Sequence, residues 1–159
     1  MGVLAYHLTW TCYGQWLPGD VRGYVDRDHR TPGTAYPDAD PQAYNAAAGV
    51  MKESACWLQV PERRLATEGI REACMRQKWP LVAVNVQPDH VHVLARVDTV
   101  GGRHAIRVMK SFATRRLRRT VPGRRRWWTK GGKVETVLTE WRLAEVARYV
   151  RNQRYPAVP

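Results

Sequence analysis

The chain has 159 residues, 44% of them apolar and seven of them tryptophan, which is enough for one domain with its own core and too little for two ordinary ones. Its 26 basic residues against 14 acidic ones leave a formal net charge of +12, a balance that points to a polyanionic partner, nucleic acid before membrane surface. No window reaches the ~18 apolar residues needed to span a bilayer, and an odd, unclustered set of three cysteines (Cys12, Cys56, Cys74) in a chain without a secretory leader fits neither a disulfide framework nor a cysteine metal site, so a cytosolic protein is expected.

Residues 5–13, rich in Thr, Tyr and Trp, predict a first β-strand. Residues 14–57 change character: Pro18-Gly19-Asp20, Pro32-Gly33, Pro37 and Pro41 break any long element, which predicts a long, partly irregular insertion with a short helix over 41–52. Pro61-Glu62, a proline followed by acid in a first turn, opens a helix that must end before Pro80. Residues 81–86 and 90–97 are short apolar runs joined by Gln87-Pro88-Asp89 and suit the centre of a sheet. The next helix, 103–119, places Ile106, Met109, Ala113 and Leu117 on one face and Arg107, Lys110, Thr114, Arg115 and Arg118 on the other. After Pro122-Gly123 comes a strand over 133–138, and Thr139, a good N-cap, starts a last helix that runs to about residue 154. The order β, insertion, α, β, β, α, β, α predicts one α+β domain over residues 1–159, a ferredoxin-like sandwich with an antiparallel sheet and helices on one face.

The charge is concentrated. Between residues 101 and 134 stand twelve Arg or Lys and no Asp or Glu, while the remaining fourteen basic residues balance the fourteen acidic ones. Arg103, Arg107, Lys110, Arg115, Arg118, Arg119, Arg124, Arg125, Arg126 and Lys130 are the candidate phosphate contacts, and Trp127 or Trp128 the candidates for stacking on an exposed base.

His90 and His92 flank Val91 on a predicted central strand, so both imidazoles project to the same face and offer two seats for a divalent metal. Two neutral histidines hold Mg²⁺ or Mn²⁺ poorly alone, and an oxygen ligand is expected nearby. Gln153 is the candidate, four residues or about 400° past Tyr149 on a helix, which would put both on one face away from Leu143, Val146, Ala147 and Val150. A tyrosine hydroxyl can attack a phosphodiester and conserve its bond as a phosphotyrosine. Each signal is ordinary alone: a strand histidine or a helix tyrosine is usually structural, and it is the joint pattern that points to DNA nicking. His7 on the first strand can also face the site, Gln87 and Asp89 are alternative third ligands, and Tyr155 is a rival nucleophile without a glutamine one turn on. A histidine-triad nucleotide hydrolase would need a further histidine at position 94, where Leu94 stands.

In Asp89-His90-Val91-His92, Lys110-Ser111 on the basic helix, residues 127–132 (WWTKGG), Tyr149 with Gln153, and residues 9–20 (TWTCYGQWLPGD), the chain resembles the single-tyrosine HUH transposases, in particular the REP-associated branch of the insertion-sequence transposases. That resemblance implies a bacterial or archaeal, nucleoid-associated enzyme that recognises a single-stranded hairpin and cuts beside it. His90, His92 and Gln153 would bind Mg²⁺ or Mn²⁺ and Tyr149 would form a 5′-phosphotyrosine. A monomer is favoured over a homodimer. The insertion at 14–57 is longer than compact members need. The alternative is a catalytically inactive or domesticated hairpin-binding protein.

Overall fold

The structure, a computed structural model, describes residues 2–23 and 35–159; the Pro32-Gly33 break of the insertion lies outside the described residues. Ala5–Thr11 (β1) alternates as a two-faced strand must: Leu8 and Trp10 are buried on one side, and Ala5 and His7 on the other. Pro41–Gly49 (α1) follows within the insertion, its first turn capped by the Asp40 carboxylate, which accepts from the Gln42 and Ala43 amides. Val60–Gln77 (α2) begins with Pro61, and Glu62 accepts from the Gln59 amide at 2.7 Å. Lys78, left-handed at φ 58°, ends it before Pro80.

Leu81–Val86 (β2) and His90–Ala95 (β3) form a hairpin, Gly102–Thr120 (α3) crosses back, Lys133–Val137 (β4) completes the sheet, and Glu140–Arg151 (α4) ends the regular structure. All pairings are antiparallel and the strand order is β2-β3-β1-β4. This is the expected ferredoxin-like order, with the His90–His92 strand in the middle of the sheet.

One expectation about the layers needs correction. Only α2 and α3 share a face: Ala66, Ile70 and Ala73 of α2 pack with Ile106, Met109, Ala113 and Leu117 of α3 on Leu8, Trp10, Val86, Val91 and Val93. The last helix, α4, covers the opposite face, where Leu143, Val146, Ala147 and Val150 meet Ala5, Ala83, Leu94 and Val137. Helices therefore lie on both sides. The cause is visible in the strands: Ala83, Leu94, Ala5 and Val137 are apolar residues on the face that α2 and α3 leave bare, and burying that second patch requires a third layer.

The α2–α3 contact is close because Gly69 faces the Ala113 backbone. A Cβ at position 69 would stand 2.7 Å from Ala113 Cα, so a side chain there would force the helices apart. Gly69→Ala should lower stability by roughly 1–3 kcal/mol, the usual cost of overpacking, read as a fall of several degrees in a thermal melt; an unchanged melt would show that the two helices can separate freely.

Candidate active site

The register of the sheet assembles the site on the α4 face. Asn85, His92, Thr9 and Lys133 are cross-strand partners in one rung from β2 to β4, and Ala83, Leu94, His7 and Glu135 form the next. Thr11 pairs with His90 beyond them. Directly paired residues share a face, so the polar rungs border the apolar patch under α4.

His92 is buried and lies beside three imidazole or hydroxyl partners: its Nδ1 is 3.1 Å from His7 Nε2 and 3.3 Å from Thr9 Oγ1, and its ring meets that of His90 edge-on. Burial, with repulsion from His90 and His7, pushes its pKa down to about 3, so the ring is neutral at physiological pH. His7 is also lowered by burial, partly offset by Glu135, whose carboxylate is 3.0 Å from His7 Nδ1. On the other histidine, His90 Nδ1 lies 2.7 Å from Asp89 Oδ1. Burial opposes ionisation of Asp89, but the His90 hydrogen bond and the Arg22 charge hold its carboxyl below the ordinary range.

Tyr149 projects from α4 over this rung, half exposed, with its ring 5.5 Å from that of His92 and 5.9 Å from that of His7. A cleft of about 630 Å³ opens here, lined by His7, Thr9, Tyr36, His92, Lys133, Glu135, Arg142, Arg148 and Tyr149 among others. Gln153 arrives differently from expectation. The helix stops at Arg151, short of residue 154, and Gln153 sits in the following turn, where its Nε2 donates to the Tyr149 carbonyl at 2.7 Å and its amide bears on His92.

Among the described residues no group of three or more His, Cys, Asp or Glu is arranged to hold a metal. The donors that the sequence offers for a divalent ion are two imidazoles and an amide. His90 and His92 each engage Nδ1 within the protein, which leaves the Nε2 atom of each as a nitrogen donor, and Gln153 brings its amide beside His92. The Asp89 carboxylate on the far nitrogen of His90 is the kind of partner that orients a ligating histidine. Asp89 itself is thus occupied as a support. Gln87, the other alternative ligand, is fully engaged: Nε2 donates to Asn85 Oδ1 and the Tyr155 carbonyl, and Oε1 accepts from the Tyr155 amide.

Those contacts form a clamp on the end of α4. Asn85 Nδ2 donates to the Val150 carbonyl, Arg63 Nη2 to that of Pro156, and Arg63 Nε to that of Val86. Tyr155 packs against Trp57 with the Arg63 guanidinium 5.7 Å above its ring, remote in its contacts from the histidines. It is not positioned as a rival nucleophile.

The start of the insertion supports His90. Trp16, at φ 55°, meets the His90 ring edge-on, and Arg22 lies over Trp16 while bridging Asp20 and Asp89. A left-handed tryptophan is a strained conformation that neighbouring contacts must hold.

The expected phosphate contacts divide. Arg103, Arg107, Arg115, Arg118, Arg119, Arg125 and Lys130 are exposed, and Arg126 is half-buried beside Glu53. The α3 residues among them lie across the sheet from Tyr149, since α3 packs on the other face. One expectation fails on packing, and two of the expected cations are engaged within the fold. Trp127 is buried in the core and cannot stack on a base. Arg124 is pinned to Ser54 and the Arg126 carbonyl, and Lys110 donates to the Thr129 and Gly131 carbonyls, with burial taking its pKa to about 8. Trp128 is half-buried, its Nε1 donating to Thr114. Lys133, Arg142 and Arg148, which line the cleft, were not among the expected contacts. Strand pairing brings Lys133 beside Thr9, and α4 brings Arg148, the residue before Tyr149, signals that a charge count along the chain does not carry.

With this geometry described, the comparisons with known proteins agree on a class. The sequence profile of the IS200-like transposases matches residues 50–153, and the chain belongs to that family. No curated protein sequence matches the chain. Among the solved structures to which the chain is similar are two transposases. One is a candidate transposase from Deinococcus radiodurans, at 19% identity and TM-score 0.49, with 99% of this chain and 95% of that one aligned. The other is a REP-associated tyrosine transposase bound to a REP hairpin, at 10% identity and TM-score 0.52, with 95% of this chain and 66% of that one aligned.

Two measurements test the site's packing. Gln87→Ala leaves the Tyr155 amide and carbonyl without their buried partner and should destabilise by about 1–3 kcal/mol in urea titration; no loss would mean the clamp is dispensable. Because the folded pKa of His92 is about 3 against 6.5 in the unfolded chain, the unfolded state binds protons first between those values, and stability falls as pH falls through that window. At pH 5 this amounts to roughly 2 kcal/mol relative to pH 7 or above, and a His92→Gln variant should show a shallower acid loss.

Proposed function

We propose that the protein is a metal-dependent single-strand DNA nicking and joining transposase that recognises hairpin DNA and cuts beside it through Tyr149. The observation that carries the reading is that Tyr149 stands over His92, whose ring meets that of His90, within one chain and beside the Gln153 amide. Membership of the IS200-like transposases supports it, as does the shared fold with a transposase bound to a REP hairpin. Because one chain contributes both the tyrosine and the histidines, a monomer suffices for the chemistry.

His90, His92 and Gln153 would hold Mg²⁺ or Mn²⁺, which when bound places positive charge on the non-bridging oxygens of the scissile phosphate. The Tyr149 oxygen attacks phosphorus in line, the bond from phosphorus to the 3′ oxygen breaks, the phenolic proton is released and the departing oxygen takes one up. The products are a 5′-phosphotyrosine and a free 3′-hydroxyl. One phosphate ester replaces another, so no ATP is consumed, and attack by a 3′-hydroxyl in reverse rejoins a strand. Lys133, Arg142 and Arg148 hold the strand's phosphates along the cleft. The exposed arginines of α3 provide a second cationic surface across the sheet.

That separation also supports a second reading. Since the α3 surface is remote from Tyr149, a chain that kept it and lost its chemistry would still bind nucleic acid.

Incubation with end-labelled hairpin oligonucleotides, Mn²⁺ or EDTA, and a denaturing gel separates the two. The expected result is a metal-dependent adduct on the 5′ end of the downstream fragment, abolished in Tyr149→Phe with hairpin affinity unchanged within about 0.5 kcal/mol. Retarded binding without any adduct would leave the non-catalytic reading. If about six cations contact single-stranded phosphates, log affinity should fall against log salt with a slope of roughly −4, and alanine at Arg107, Arg115 and Arg118 should flatten it by up to about 2.

A further inference from the structure

His7 is the residue of the site whose role the proposed chemistry leaves unassigned. It is buried on β1, stacked against His92 at 5.3 Å between ring centroids and 19° between planes, and both of its nitrogens are engaged. Nδ1 faces Glu135 Oε2 at 3.0 Å, and Nε2 faces His92 Nδ1 at 3.1 Å, with Thr9 Oγ1 3.5 Å away. A histidine occupied at both nitrogens is not a spare metal ligand.

The chain of contacts has a direction. Glu135 also receives the Lys133 ammonium at 3.0 Å, an environment that keeps it a carboxylate and therefore an acceptor only. His7 Nδ1 must then carry the proton it donates to Glu135. In a neutral imidazole the other nitrogen is a bare acceptor, so His7 Nε2 accepts, and among the described residues the group positioned to donate a ring N–H to it is His92 Nδ1. Thr9 Oγ1, 3.3 Å from His92 Nδ1, fits the same direction by accepting from that N–H and donating to His7. A neutral His92 protonated at Nδ1 has its lone pair on Nε2. A metal needs that lone pair, and free imidazoles of histidine in water favour the opposite tautomer.

We infer that His7, backed by Glu135, is a positioning residue that fixes His92 with its Nε2 lone pair open to the metal seat. The inference rests on the reading of His92 as a metal ligand. Outer partners of this kind change metal affinity by about 10–100-fold when removed.

The test begins without metal. In the ¹⁵N-labelled full chain with EDTA, a long-range ¹H–¹⁵N correlation spectrum should show His92 as the Nδ1–H tautomer, and in His7→Phe, which keeps a ring in the stack but has no nitrogen, that preference should be lost. Calorimetric titration with Mn²⁺ alone should then show affinity about 10–100-fold weaker in His7→Phe. His7→Gln, whose amide can donate to Glu135 and accept from His92, should restore most of the affinity and the tautomer, an outcome that simple filling of space would not produce. An Nε2–H tautomer in the unmodified chain, or equal Mn²⁺ affinity in a folded His7→Phe, overturns the inference. Should His7→Phe fail to fold, Glu135→Ala decides: weakened tautomer preference supports the relay and an unchanged one overturns it. An unmodified chain with the Nδ1–H tautomer that takes up no Mn²⁺ supports the relay and overturns the metal-dependent reading of function instead.

Discussion

The antiparallel pairing of β1 with β3 is the constraint on which the rest depends. Strand residues alternate faces, so setting Thr9 opposite His92 and Thr11 opposite His90 commits both imidazoles to one side and Val91 and Val93 to the other. A slip of one residue would send the histidines into the core beneath α2 and α3 and turn Val91 and Val93 toward the cleft. The pairing is therefore protected by the hydrophobic effect on both faces at once. Leu8 and Trp10 are buried under α2 and α3, while Ala5 is buried under α4, and no shifted register satisfies both.

A second constraint sets where the tyrosine stands. The apolar stripe of α4 is short, four buried residues over a patch of four strand residues, and by itself would leave the end of the helix free to rock. Asn85, Gln87 and Arg63 prevent this by holding backbone groups at positions 150, 155 and 156. Buried side-chain amides are costly unless every group finds a partner. Here the partners are the carbonyls and the amide that a terminating helix and the chain beyond it leave over. The same three residues thus satisfy the chain end and register Tyr149 against His92.

The strands and helices were legible in the sequence because each rests on local periodicity: the 3,4,4 spacing of Ile106, Met109, Ala113 and Leu117, the caps at Thr139 and Glu62, and the alternation around Val91. The pairing of the His-x-His strand with a tyrosine helix was legible through family resemblance and joint spacing. What local pattern could not carry was sidedness. The position of α4 on the opposite face depends on Ala83, Leu94 and Val137 being buried together, a property of the assembled sheet. Trp127 has the composition of a base-stacking residue, and only the packing of the 120s loop against β1 shows that it is core. His7 carries the weakest local signal, because a single strand histidine is usually structural and its partner Glu135 lies 128 positions away along the chain.

The early end of α4 follows from the same division of the sheet face. The apolar rungs need a helix to cover them, whereas Thr9, His92 and Lys133 of the neighbouring rung line the cleft. A straight helix carried through residue 154 would continue outward from the sheet and take Gln153 with it. The chain instead leaves the helix at Asn152, whose amide still bonds to the Arg148 carbonyl, and turns so that Gln153 folds back onto the Tyr149 carbonyl beside His92. A glutamine in this position closes the last turn with its nitrogen. Glutamate could not make that donor contact, and asparagine would be one methylene short of it. The Gln153 side chain, donating to the carbonyl four residues back, thus closes the end of α4.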